Sequence, residues 1–235
     1  MHFRQFVIVC VVSVITCIMI QTAGAILING NETDDGTYFY NLGARLVAGG
    51  EFERAISAFD NALASDTTMI QRSDALSYLY SDKAFALIQL GRFNEAVDTT
   101  NQGLTLYPHD VSLWNNKGYA LFRLGQYNDA VHAYDQALGI EKDTTKLSKY
   151  WTNKGEALFS AGKYQEAADA FYKGLRLNPS NTDAADGLVR AQQKASEGFL
   201  MMIGAVMAIV AGAGAVAYFL HRKKSKGTPR KPKDG

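Results

Sequence analysis

The chain repeats itself. Four times, an aromatic residue is followed four positions on by Gly or Ala and three further by Leu: Phe39, Gly43, Leu46; Tyr80, Ala84, Leu87; Trp114, Gly118, Leu121; Trp151, Gly155, Leu158. Each copy then reaches a Gly (Gly50, Gly91, Gly125, Gly162), an aromatic two residues later (Phe52, Phe93, Tyr127, Tyr164) and an Ala three beyond that (Ala55, Ala96, Ala130, Ala167). Phe59, Tyr134 and Phe171 come next, with Thr100 as the departure of the second copy, and Ala62-Leu63, Gly103-Leu104, Ala137-Leu138 and Gly174-Leu175 close the copies. Apolar residues at i, i+4 and i+7 define one helix face, the small residue admits a neighbouring helix, and the Gly ends the helix. Each copy therefore reads as a helical hairpin, which cannot bury its apolar face alone and must stack on its neighbours.

With a period of roughly 34 residues, the pattern resembles the tetratricopeptide repeat. The resemblance implies an all-α solenoid of four helical hairpins over residues 36–181 (about 36–69, 77–110, 111–144 and 148–181) plus a capping helix at 182–198. Pro108 and Pro179 end two copies, whereas Thr67 and Lys142 stand at the corresponding positions of the others. The intervals from Gly50 to Gly91 and from Gly125 to Gly162 are long, so insertions near residues 67–75 and 141–146 predict interruptions in the regular stacking. In the cap, Ala185, Leu188 and Val189 are expected to face the fourth repeat, and Gly187 and Gly198 to be weak points of the helix.

In proteins with this repeat the first helix of each hairpin lines a concave groove. The resemblance therefore implies a peptide-binding face of Tyr40, Ala44 and Val47; Ser81, Phe85 and Ile88; Asn115, Tyr119 and Phe122; Thr152, Glu156 and Phe159. Two residues before each small Gly/Ala stand Asn41, Asp82, Asn116 and Asn153, similar to the asparagine ladder with which some members hold a ligand's backbone.

Both ends carry membrane signals. Residues 1–25 read as a signal peptide: Arg4, an apolar stretch from Phe6 to Ile20, and the small-residue pattern Ala23-Gly24-Ala25. An uncleaved anchor is the competing reading, and either version exports the repeats. Segment 26–35 is expected to be a flexible exported stretch, and in it Asn31-Glu32-Thr33 is a glycosylation acceptor sequence. The run at 199–220 contains neither charge nor proline and, at 1.5 Å per residue, reaches about 33 Å, enough to cross a bilayer core of about 30 Å. The basic tail 221–235 comes immediately after it, and the positive-inside bias keeps it cytoplasmic. The chain is thus expected to be a single-pass protein of the cell membrane with its repeats extracytoplasmic. Gly204, Ala208 and Gly212 recur at every fourth residue of the membrane run, a face suited to homodimerisation.

Little else in the sequence suggests chemistry. Cys10 and Cys17 both lie in the N-terminal apolar run, and His2, His109, His132 and His221 are scattered without metal-ligand spacing. No catalytic residue, metal or cofactor is expected. Basic residues cluster in the tail, whereas residues 26–198 carry an excess of acids, which argues against nucleic acid. The function expected is a membrane-tethered scaffold that binds a protein or peptide segment; the alternatives are a recruiting subunit of an envelope enzyme complex and a structural spacer.

Overall fold

The computed structural model describes residues 35–65 and 75–225. The N-terminal segment with Asn31, the insertion at 66–74 and the end of the basic tail lie outside the described residues. Four antiparallel pairs succeed one another: α1 (Asp35–Ala48) with α2 (Phe52–Ala64), α3 (Ala75–Gln89) with α4 (Phe93–Leu106), α5 (Val111–Arg123) with α6 (Tyr127–Ile140), and α7 (Thr144–Ser160) with α8 (Tyr164–Leu177). The last helix, α9, runs without interruption from Thr182 to Ser225. Among the described residues there is no strand.

The four turn glycines do what the repeat requires of them. Gly50, Gly91, Gly125 and Gly162 all have φ between 74° and 78°, a region that side chains rarely occupy. Around each, two amides fold back: Glu51 N–H donates to Leu46 O and Gly50 N–H to Val47 O, with the same pairings at Arg92, Gln126 and Lys163. This double closure satisfies carbonyls that a helix end leaves open, and it gives all four hairpins one geometry.

Within three of the hairpins the small residue seats an aromatic ring. A Cβ on Gly43 would come within 2.5 Å of the Phe59 ring, one on Gly118 within 2.8 Å of Tyr134, and one on Gly155 within 2.7 Å of Phe171. The second repeat changes both partners together: Ala84 replaces Gly, Thr100 replaces the aromatic, and both are fully buried. The two departures of this repeat are thus one packing exchange.

The third junction corrects one expectation. The residues inserted near 141–146 do not interrupt the stack; they lengthen α7, which spans 17 residues against 13 in α5. Asp143 begins the extra turn by accepting from the amides of Thr145 and Lys146, a side-chain cap in place of the missing proline. Asp110 begins α5 in the same way, through Leu113 N–H.

Ion pairs also keep to the repeat. Lys83 of α3 meets Asp60 of α2, and Lys154 of α7 meets Asp135 of α6. Between repeats two and three Asn101 stands where an acid would be, and Lys117 lies instead over the Trp114 ring at 5.1 Å. That joint lacks the bridge its neighbours have.

The cap packs through a face shifted from the one expected. Leu188 packs on the Phe171 cluster as expected and Ala185 is half-buried, but Ala184, Gly187 and Ala191 are the buried positions and Val189 is exposed. Small residues at this spacing let α9 approach Phe171 closely, and the larger aliphatic side chain of Val189 points elsewhere. Gly187 is accordingly a packing position rather than a weak point. Beyond Gly198 the side chains from Phe199 to Tyr218 are all exposed, and this stretch is long and apolar enough to cross a membrane.

Candidate functional site

The first helices α1, α3, α5 and α7 carry the residues expected to line the groove, and the structure sorts them into two rows. One row is covered by a neighbouring repeat. Asn116 donates to the carbonyl of Ser81 at 3.0 Å and to its hydroxyl at 3.3 Å, and Asn153 donates to Asn115 Oδ1 at 3.3 Å. Asp82 takes the same place in repeat two, close enough to Tyr40 to help raise the tyrosine's pKa, although burial of Tyr40 is the larger cause. Asn41, in the first repeat, has no preceding hairpin among the described residues and is exposed.

This ladder therefore runs between repeats. Asn116 gives its amide to the preceding hairpin, and Asn153 gives one of its two amide hydrogens, which leaves the other hydrogen of Asn153 and the Asn116 carboxamide oxygen toward the groove. Asp82 is partly buried where the other repeats have Asn, and burial raises its carboxyl pKa.

Thr152 shows the same covering at the end of the solenoid. It is buried, donates to Ser148 O at 2.9 Å and accepts from Asn181 at 3.0 Å. Asn181 also donates to Ser148 Oγ at 3.1 Å and caps α9 by accepting from Ala184 N–H, while Ser148 donates to Gly174 O at 2.8 Å. Thr152 is thus part of a buried polar junction between α7, α8 and α9. The sequence did not single out Asn181 and Ser148, because their role depends on three helices meeting; the Asn two residues before a helix-start Asp183 was the available signal.

The second row remains accessible and is aromatic. Phe85 is 39% exposed and meets Phe52 edge-on at 6.2 Å. Phe122 and Phe159 lean on Tyr127 and Tyr164 of their own turns at 5.8 and 5.3 Å. Tyr119 accepts from Arg123 at 3.1 Å, and the same guanidinium lies 4.5 Å from the Phe93 ring centroid and 5.8 Å from that of Tyr119. Arg190 lies 5.1 Å from the Phe159 centroid and is ion-paired with Glu156. Arg123 differs in having no carboxylate within ion-pair distance among the described residues, so most of its donors face outward.

At the C-terminal end, between α7 and α9, the groove widens into a cleft of about 650 Å³ lined by Asn153, Glu156, Asp183, Asp186, Val189 and Arg190, with Thr152 at its base. No group of His, Cys, Asp or Glu among the described residues has the geometry to hold a metal. His132 is accounted for by an edge contact with Trp114 at 6.3 Å. Gly204 and Gly212, on the apolar part of α9, face open space.

Known proteins support this architecture. Residues 111–143 and 148–181 match the model of the tetratricopeptide repeat family. No curated protein sequence matches the chain. Among solved structures, MamA is similar over 84% of this chain and 98% of its own, with 17% identity and a TM-score of 0.59. The first TPR of Spaghetti (RPAP3), solved bound to an HSP90 peptide, has 24% identity and a TM-score of 0.48, covering 51% of this chain and 93% of its own. The Sgt2 TPR domain from Aspergillus fumigatus has 23% identity and a TM-score of 0.48, covering 52% and 80%. With two repeats matched directly and the same turn geometry running through all four hairpins, the chain carries tetratricopeptide repeats.

Proposed function

We propose that this protein is a scaffold tethered in a membrane by α9, whose groove binds an extended peptide segment of a partner protein. The observation that carries this reading is the accessible row of Phe85, Tyr119, Phe122 and Phe159 beside the outward-facing guanidinium of Arg123. Apolar side chains of a bound segment would pack on the rings, and a carbonyl or carboxylate would reach the guanidinium. The carboxamide oxygens along the groove would accept from backbone amides of the same segment. Half-buried rings in this arrangement contribute binding area with few rotatable bonds to order.

The apolar stretch of α9 and the basic residues after it support a single crossing, with the tail cytoplasmic and the repeats on the outer side. In this reading the scaffold works at the outer face of the cell membrane.

A photoreactive amino acid at position 85, in intact cells, is expected to crosslink one partner that the same group at position 172, on the exposed side of α8, does not capture. Arg123→Gln breaks no ion pair but gives up the contacts with Phe93 and Tyr119; it is expected to abolish that crosslink at temperatures where circular dichroism shows the variant to be folded. Capture that survives Arg123→Gln, or that is equal from positions 85 and 172, refutes the groove.

A further inference from the structure

The four turns within the hairpins are linked to one another along one edge of the solenoid. Arg92 at the second turn reaches Glu53 at the first, 3.1 Å away. Arg123, just before the third turn, lies over Phe93 of the second. Lys163 at the fourth turn donates to Asn128 at the third at 2.9 Å. Tyr164 and Gln165 then share a cleft with Ser196, Gly198 and Phe199 of α9. The edge therefore ends where α9 leaves the repeats, and Phe199 is the first residue of the apolar run.

Heights along α9 come from the helix rise. Ser196 lies about 4.5 Å from Phe199 at 1.5 Å per residue, and the headgroup layer on each side of a bilayer is about 5–7 Å thick. The turns are thus level with the headgroups if the apolar run fills the core. The opposite edge of the fourth repeat, with Ser180, adjoins the start of α9, about 21 Å farther out along the helix axis, and His109 belongs to the same edge in the second repeat.

We propose that the edge formed by the intra-repeat turns contacts the lipid headgroups and that the groove consequently runs parallel to the bilayer surface. This rests on the reading of α9 as a membrane helix, though not on which side is exported. The edge is held there by helix continuity and not by charge. Its Arg54 pairs with Glu51, Arg92 with Glu53 and Glu95, and Lys194 with Glu197, while at the third and fourth turns the acids Asp129 and Glu166 balance Arg123 and Lys163 in number. No excess of positive charge is left to seek anionic lipid, so the contact is expected on neutral phosphatidylcholine as well.

The test uses the full chain with Cys10 and Cys17 replaced by Ser, reconstituted in phosphatidylcholine vesicles containing a nickel-chelating lipid. Nitroxide labels at Gln126→Cys and Gln165→Cys should show relaxation enhancement by the headgroup nickel, and labels at His109→Cys and Ser180→Cys should show its loss. A flexible Gly-Ser linker inserted after Gly198 should erase the difference while the chain remains membrane-integrated. Equal enhancement at both edges in an integrated chain overturns the orientation alone. A chain released by alkaline carbonate overturns the membrane reading and the orientation together. A difference that persists with the linker shows adhesion by the edge itself and overturns rigid positioning.

Discussion

Gly187 lies flat against the Phe171 ring, so close that a Cβ at this glycine would come within 2.5 Å of the ring carbons. Gly155 approaches the same three ring carbons, and Phe171 is fully buried between the fourth hairpin and α9. Overpacking of this kind typically costs about 1–3 kcal/mol. Gly187→Ala is therefore expected to lower the melting temperature of the detergent-solubilised chain. Gly198→Ala, which meets nothing within 4 Å, is expected to stabilise by up to about 1 kcal/mol through helix propensity. Identical melting of the two variants would remove Phe171 as the anchor of the cap.

The ladder between repeats gives Asn116 and Asn153 a share in the stability of the stack. Replacing both by Ala leaves the Ser81 carbonyl and Asn115 carboxamide without their donors, at about 1 kcal/mol for each net hydrogen bond. A reduced melting temperature, read by circular dichroism, is the expected outcome. An unchanged transition would show that water replaces the amides without loss.

The same position in repeat two gives a pH dependence. Burial raises the Asp82 pKa in the folded state above its unfolded value. The folded state then binds more protons in the interval between the two pKa values, so this residue's contribution to stability falls as pH rises through it. Asp82→Asn should accordingly raise the melting temperature at neutral pH and give a smaller gain under acid conditions where Asp82 is already protonated. An equal gain at both pH values would place its cause outside ionisation.

The fold is legible in the sequence because the repeat writes its geometry in residues that act locally. The turn glycines need positive φ, and the small residue in the first helix must admit the ring from the second. The site is less completely legible, since a row of side chains one residue apart on a helix can face solvent or the next hairpin. Thr152 and Asn116 lie on the covered side of that division, and Phe85 on the open side. Periodicity assigns a face, but only the stacking angle between hairpins decides how much of it the neighbour covers. Similarly, Ala184 and Ala191 give a weaker signal than Leu188 and Val189, although close approach favours the smaller residues.

The exchange at Ala84 and Thr100 can be reversed in steps. Thr100→Phe alone places a ring where Ala84 already has a Cβ and should destabilise by about 1–3 kcal/mol. Adding Ala84→Gly, as in the other three repeats, should recover part of that loss. A double-mutant cycle from chemical denaturation reads the coupling, and strict additivity would show that the two positions do not share one packing site.

The orientation across the membrane can be checked without knowing the partner. Protease added to intact spheroplasts should digest residues 36–196 and spare an epitope placed after Gly227. Cleavage of the epitope with the repeats protected would invert the assignment, and charge reversal in the basic tail should weaken the preference.

The missing bridge at Asn101 changes what holds the middle joint. Helix α5 packs there on α3 and α4 as extensively as the helices do at the neighbouring joints, and Asn116 and Arg123 add their contacts. Repeats one and two are also tied by Lys83 and Asp60, and repeats three and four by Lys154 and Asp135, but partly exposed pairs of this kind contribute only about 0–1 kcal/mol each. Salt screens such pairs, so rising ionic strength loosens the two outer joints slightly and leaves the coupling at the middle one as it was.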